Sequence, residues 1–225
     1  MPLIANPVKC DAAHLEIITL TKASGDFSHR SWGCDDLLPV RSFIRSHYRN
    51  EQRGICAYCK ERVSTRTADN AHVEHIAPKS LYIDFMFEEK NLCVICADCN
   101  VIKRSQETIN EIPDTLAARS GTAPRRQYPR SSNAFLIVHP HFDDWDDHIE
   151  KFGVRYTDKT DKGIFTIQAC KLNRYFHNNF NVDDEYLDDD QLHKLMSDWI
   201  DAPSSVQKAR ILSRLATSLS KMNIA

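Results

Sequence analysis

No run of about 20 apolar residues occurs in the 225-residue chain, so no segment is suited to crossing a bilayer as a helix. The amino terminus, Met1-Pro-Leu-Ile-Ala-Asn-Pro7, lacks the pattern of a secretory signal; export is not expected and a cytoplasmic location is. Excess positive charge is also missing. A net charge of −2 argues against a protein that coats nucleic acid through its whole surface, so any such binding must use a local patch. There is no internal repeat. What remains is a chain long enough to bury a real core, as one elaborated domain or two small ones.

Cysteine, by contrast, is plentiful. Eight cysteines would suit a disulfide scaffold in a short secreted chain, but four of these form two knuckles, Cys56-x2-Cys59 and Cys96-x2-Cys99. Thiolates favour zinc, a borderline-soft ion that takes four sulfur ligands tetrahedrally, and two knuckles brought together by a fold close such a site. A redox dithiol would need only one pair beside a βαβ pattern, which the sequence does not contain. Cys93-x2-Cys96 also has knuckle spacing; Cys96 with Cys99 is preferred because Asn91-Leu-Cys-Val-Ile95 reads as an apolar approach segment. Cys10, Cys34 and Cys170 have no obvious partners and are expected to be reduced and structural.

Between and just after the pairs lie Glu74, His75 and Asn100, with different chemistry. Carboxylate and amide oxygens suit Mg²⁺, a hard cation that keeps several waters and takes one or two protein ligands. A neutral imidazole beside such an ion can take a proton from water near pH 7 while the metal neutralises charge on a phosphate and a departing oxygen. That combination points to phosphodiester hydrolysis, with zinc and the second ion at separate sites.

Cys56-Ala-Tyr-Cys59, Val73-Glu-His-Ile-Ala-Pro-Lys-Ser80, Asn91-Leu92 and Cys96-Ala-Asp-Cys-Asn-Val-Ile-Lys103 together resemble the HNH (ββα-metal) endonuclease family over about residues 50 to 105. The resemblance implies His75 as general base, Glu74 and Asn100 as ligands of a catalytic Mg²⁺ or Mn²⁺, and Asn91 as the brace of the loop holding the base. It also suggests Lys103 as a contact to the substrate backbone. Asn100 stands where the family often has histidine, and Glu74 where aspartate is commoner, which sets the ion one methylene further from that backbone. Phe135–His148, Gly163–Gln168 and Leu172-Asn-Arg174 look like the extension of HNH nucleases from Septu-type and retron-associated anti-phage systems, nucleases that act with a partner ATPase.

A local basic patch is present. Arg41, Arg45, Arg49 and Arg53 recur every fourth residue, one stripe of a helix whose apolar side would be Leu37, Val40, Ile44 and Tyr48, with Asp35 or Asp36 as cap. Residues 41–66 hold seven Lys or Arg against two acids, a local charge of +5. The bland reading is a solvated face; the sharper one is phosphate contact, joined by Lys79, Lys103 and Arg104. In the Pro-, Gly- and Ser-rich loop that follows, Arg125, Arg126, Tyr128 and Arg130 either clasp nucleic acid or form a plain linker.

The expected fold is α+β: a ββα-metal HNH core clamped by a four-cysteine zinc site, preceded by the basic helix and followed by a small β-hairpin and C-terminal helices. In order, these are an N-terminal extension (1–34), the nuclease core with its leading helix (35–110), the basic loop (111–133), a β-rich extension (134–180), and an acidic segment with a helical hairpin (181–225). Within the extension, Ala134–Val138 reads as a strand, and residues near 151–157 and 163–169 as a hairpin. His139, His141 and His148 among Asp143, Asp144, Asp146 and Asp147 read as turn and cap residues rather than a metal loop. Leu192, Leu195, Met196 and Trp199 mark one amphipathic helix and Leu212, Leu215, Ala216 and Leu219 another, packed on the domain or offered to a partner protein. The expected activity is metal-dependent cleavage of nucleic acid, DNA before RNA, with no membrane partner. The competing reading is a zinc-ribbon nucleic-acid-binding or adaptor module whose site is inactive.

Overall fold

The computed structural model describes residues 2–110, 127–176 and 189–204, with 207, 208, 211 and 212. The chain divides into two units, Met1–Asn173 and Arg174–Ala225. The first opens with a helix that the sequence analysis did not anticipate, α1 (Ala12–Ala23), whose N-cap Asp11 accepts a hydrogen bond from the amide of His14. Helix α2 (Leu38–Glu51) follows a 3-10 turn, Asp35–Leu37; Leu37 is its N-cap and no side chain caps it, so neither Asp35 nor Asp36 does so.

One face of α2 is the expected apolar stripe. Leu37, Val40, Ile44 and Tyr48 are all buried, each contributing about 1.5–3 kcal/mol relative to exposure. The helix ends at Glu51, so Arg53 lies beyond it, at a φ of 54°, and Gly54 at 70° returns its amide to the carbonyl of Arg49. The four-arginine stripe expected of this helix therefore stops at three. Gln52, fully buried, pins the helix end: its amide nitrogen donates to the carbonyls of Ile55 and Val94 and its oxygen accepts from the amide of Val94.

Strands β1 (His72–His75) and β2 (Leu92–Ile95) pair antiparallel, with Glu74 opposite Cys93 and His75 opposite Leu92, and helix α3 (Ala97–Lys103) follows directly. Helix α2 packs on both strands and α3 on β1. This is the expected ββα unit.

The extension departs from expectation in two places. Residues 134–138 form no strand. Phe135 makes one isolated bridge with Ile109, and the amides of Leu136 and Val138 go to the Thr108 carbonyl and the Thr166 hydroxyl. Ladder partners are absent there, so β-propensity alone could not build a strand. The hairpin lies earlier, β3 (Ile149–Phe152) with β4 (Arg155–Asp158), turning at Gly153 with φ 58° after the short helix α4 (Trp145–His148). Residues 161–169 are instead helix α5 (Asp161–Ala169), capped by Thr160, whose hydroxyl accepts from the amide of Gly163. A side chain at position 163 would meet the His148 carbonyl oxygen at 2.0 Å, so glycine is what lets α5 seat against α4.

The histidine and aspartate cluster is a packed polar network. His139 is fully buried; its Nε2 shares a proton with the hydroxyl of Tyr128 and its amide donates to Asp143, which also takes Lys162 and Ser132. No metal-binding group forms there among the described residues.

In the second unit, helix α6 (Asp189–Asp201) is present, with Leu195 buried, Met196 exposed and Trp199 half-buried. Arg125, Arg126, the acidic run near 183–188, and Leu215, Ala216 and Leu219 lie outside the described residues.

Candidate metal centre and active site

Cys56 and Cys59 leave the turn after α2, and Cys96 and Cys99 open α3, so a knuckle and a helix N-terminus face each other. The four sulfurs all lie within 4.8 Å of one another, and Cys59 Sγ stands 3.7 Å from Cys96 Sγ. Tetrahedral ligands at the zinc–sulfur bond length are about 3.8 Å apart, so the cluster fits zinc. Hydrogen bonding within the cluster holds the Cys59 and Cys96 thiols below their ordinary value; burial raises Cys56, and Cys99 is raised first by hydrogen bonding with Cys170, the mark of four thiols crowded on one point. Cys93 is buried opposite Glu74 and outside the cluster, which decides the register in favour of Cys96 and Cys99.

The extension supports this centre in ways the sequence did not announce. The Trp145 indole donates to the Tyr58 carbonyl at 2.9 Å, and the Tyr156 hydroxyl to the Cys59 carbonyl at 2.6 Å. Lys60, at φ 58° inside the first knuckle, lies over the Trp145 ring, and burial pulls its ammonium down to about 8. Cys170, at the end of α5, is buried with its sulfur interacting with that of Cys99. The expected unpaired structural cysteine thus touches the metal centre.

His75 ends β1 and is 4% exposed. Its Nε2 lies 3.1 Å from the carbonyl of Met86; a carbonyl only accepts, so Nε2 carries the proton and Nδ1 keeps its lone pair. Burial, then the charges of Lys79 and Lys103, hold the imidazole well below its ordinary value, so the ring is neutral at neutral pH. Trp32, from the N-terminal extension, packs edge-on against the ring at 4.5 Å between centroids. Nothing in the spacing near Trp32 signals this contact.

Asn91 sits at the base of a loop. Fully buried, it accepts from the amide of Ala77 at 2.7 Å and donates to the carbonyls of Ala77 and Phe85 at 3.0 and 2.9 Å. Those bonds close the loop from 76 to 91, which also carries the Met86 carbonyl that sets the tautomer of His75.

Glu74 faces α3. Its Oε1 is buried and forms no regular hydrogen bond, yet Lys103 Nζ stands 2.5 Å from it as an ion pair. Lys103 is fully buried, so the structure places it in the interior against Glu74 rather than at the surface where a phosphate would meet it. Asn100 is half-buried three residues earlier on the same face of α3. A buried carboxylate oxygen with only a cation beside it, and an amide one turn away, make a donor set that suits a hard divalent ion. Lys79 is half-buried; its ammonium is pulled down first by burial, with Glu74 and Lys103 also acting on it. Acid, base and two ammonium groups thus act on one another across a small region.

The helix arginines spend donors on the fold. Arg41 bonds the carbonyls of Trp32 and Cys34, Arg45 that of Ala71 at 2.9 Å, and Arg49 that of Thr67. Arg45 feels both neighbours, so the positive stripe is real, but it clamps the approaches to Trp32 and β1. Arg53 and Arg104 are exposed, Arg104 bonding the Val101 carbonyl within its own helix. Tyr128 is buried, its hydroxyl shared between His139 and the Lys90 carbonyl, and so is not offered to a base.

Residues 56–106 match the family model of the HNH endonuclease. The chain carries an HNH domain. No curated protein and no solved structure matches it. The matched residues of the HNH domain contain both knuckles, Glu74, His75, Asn91 and Asn100, while Trp32, α2 and the supporting extension lie outside it. Among the described residues no helix is long and apolar enough to cross a membrane.

Proposed function

We propose that the protein is a metal-dependent endonuclease that hydrolyses phosphodiester bonds of nucleic acid, DNA in preference to RNA. The observation that supports this is His75: a buried imidazole whose Nε2 is committed to the Met86 carbonyl, leaving the Nδ1 lone pair to act as a base, with Glu74, whose Oε1 lacks a regular hydrogen bond, next to it in β1. His75 takes the proton of an attacking water at Nδ1; Asn91 holds the loop that orients it; Lys79 is the nearest half-buried cation to meet a phosphate. A Mg²⁺ or Mn²⁺ ion held by Glu74 and Asn100 would neutralise charge on the phosphate and the leaving oxygen. Zinc on Cys56, Cys59, Cys96 and Cys99 is structural in this reading, and Arg53 and Arg104 are the exposed basic contacts.

The likeness of Phe135–His148, Gly163–Gln168 and Leu172–Arg174 to defence nucleases supports an anti-phage role with a partner ATPase. Plasmid cleavage in Mg²⁺ and Mn²⁺, with that partner supplied, tests the proposal. His75→Ala should abolish cleavage while zinc content and circular dichroism stay unchanged; full cleavage by the variant would refute it. A second reading, a binding or adaptor module with an inactive site, is favoured by the ion pair that already occupies Glu74 and by the burial of His75 under Trp32. It predicts binding without cleavage in every metal.

A further inference from the structure

Lys103 is fully buried, and its ammonium approaches only one charge, Glu74 Oε1 at 2.5 Å, among the described ion pairs. Neither atom has a regular hydrogen-bond partner. A buried carboxylate without a countercharge is strongly disfavoured, as is a buried ammonium, so each ion is what keeps the other tolerable in the interior. The arrangement has a consequence for any divalent ion on Glu74. A divalent ion on that same buried oxygen would stand within a few ångströms of the ammonium, and their repulsion in a medium of low polarity is large compared with thermal energy.

We infer that Lys103 is an internal counter-cation that occupies the Glu74 position in the absence of a divalent ion and must leave it before the ion binds. The inference deepens the nuclease reading and rests on it. Lys103 ends α3, and Arg104 after it adopts a φ of 50° as the chain leaves the helix, so its four-carbon stem starts where the backbone stops being helical. The displaced ammonium would swing out from the last turn of α3, on the face that also carries Asn100, and become available to the substrate. Metal binding and exposure of a phosphate-seeking cation are thereby one event: the apo site is self-neutralised, and each divalent ion that binds does so against an internal competitor. Lys79, which is half-buried and acts on both Glu74 and Lys103, adds to the positive field but does not replace the contact.

The test uses the full-length zinc-loaded protein with Mn²⁺ as probe, titrated by electron paramagnetic resonance, for wild type, Lys103→Met, Lys103→Gln and Glu74→Gln. The Lys103 variants should bind Mn²⁺ at least tenfold more tightly than wild type, and Glu74→Gln should lose the site. Equal or weaker binding by the Lys103 variants overturns the inference while leaving the nuclease reading intact. Absence of Mn²⁺ binding in every variant overturns both. Should the Lys103 variants not fold, the wild type decides: Lys103 should resist acetylation by an N-hydroxysuccinimide ester without Mn²⁺ and become labelled with it, measured by peptide mass spectrometry. Continued protection in saturating Mn²⁺ overturns the inference.

Discussion

Replacing Asn91 by alanine removes three hydrogen bonds at once and leaves their partners behind. The amide of Ala77 and the carbonyls of Ala77 and Phe85 stay in an interior where both residues are buried. A stranded buried polar group costs about 1–3 kcal/mol, and water entering the vacated space satisfies part of the three, so the net loss should be about 3 kcal/mol. A domain of this kind is stable by roughly 5–15 kcal/mol, so the variant should fold but melt early. Function should fall further than stability. The Met86 carbonyl that fixes His75 rides on the loop that Asn91 closes, and a misplacement of about 1 Å at a reacting group costs on the order of a hundredfold in rate. Denaturant unfolding at fixed, saturating zinc measures the first effect and cleavage the second, with nitrogen chemical shifts of His75 reporting whether Nε2 still carries the proton. A loss below about 1 kcal/mol, or an unchanged tautomer with normal cleavage, would show that Asn91 does not hold the loop.

Acid should destabilise the fold through its buried histidines. His141 is lowered from 6.5 to about 4 by burial, and His139 and His75 are lowered well below their ordinary value, so the folded state keeps all three neutral where the unfolded chain would bind protons. Their contribution is complete above about pH 6.5 and is lost as pH falls through each folded value, for His141 by about pH 4 and roughly 3 kcal/mol. His141→Gln should flatten the fall between pH 6.5 and 4 relative to wild type; an equal fall would assign the acid sensitivity elsewhere. Zinc content measured by mass spectrometry should drop in Cys99→Ala and stay stoichiometric in Cys93→Ala. The reverse pattern would move the metal to the other knuckle.

What the sequence made legible is what short spacing determines. Two residues between cysteines is itself a geometry, and an apolar residue at every third or fourth position is a helix face, so the zinc cluster and the buried stripe of α2 were readable before any fold was known. The misreadings share a cause. Residues 163–169 carry isoleucine, phenylalanine and threonine, which read as strand, yet Thr160 caps a helix there and the seat under His148 accepts only a glycine at 163. Local preference lost to a tertiary fit that no window of sequence contains. The arginine stripe failed at its end for a reason that was visible: Gly54 follows Arg53 and marks the helix stop. That the other three arginines reach carbonyls 7 to 26 residues away was not visible, because a carbonyl has no letter of its own.

The same asymmetry explains why Trp32 escaped notice and why it matters. Every residue of the HNH motif lies between 56 and 106, but the His75 imidazole it contains is buried under a side chain from outside that segment, and Arg41 holds the backbone of that side chain in place from α2. The HNH segment supplies the imidazole; the elements around it set how much solvent that ring meets. Charge follows the same division. A net −2 chain places Arg41, Arg45 and Arg49 on one helix and turns all three toward its own carbonyls, so the positive field near β1 is built into the scaffold rather than held on mobile surface side chains. Such a field cannot be lost by rearranging exposed side chains, and at His75 burial, then the half-buried Lys79 and the buried Lys103, bias the ring toward the neutral form. Proton acceptance by a neutral ring in a positive surrounding is favourable only if an anion arrives to offset the resulting imidazolium. A phosphate in the site is such an anion.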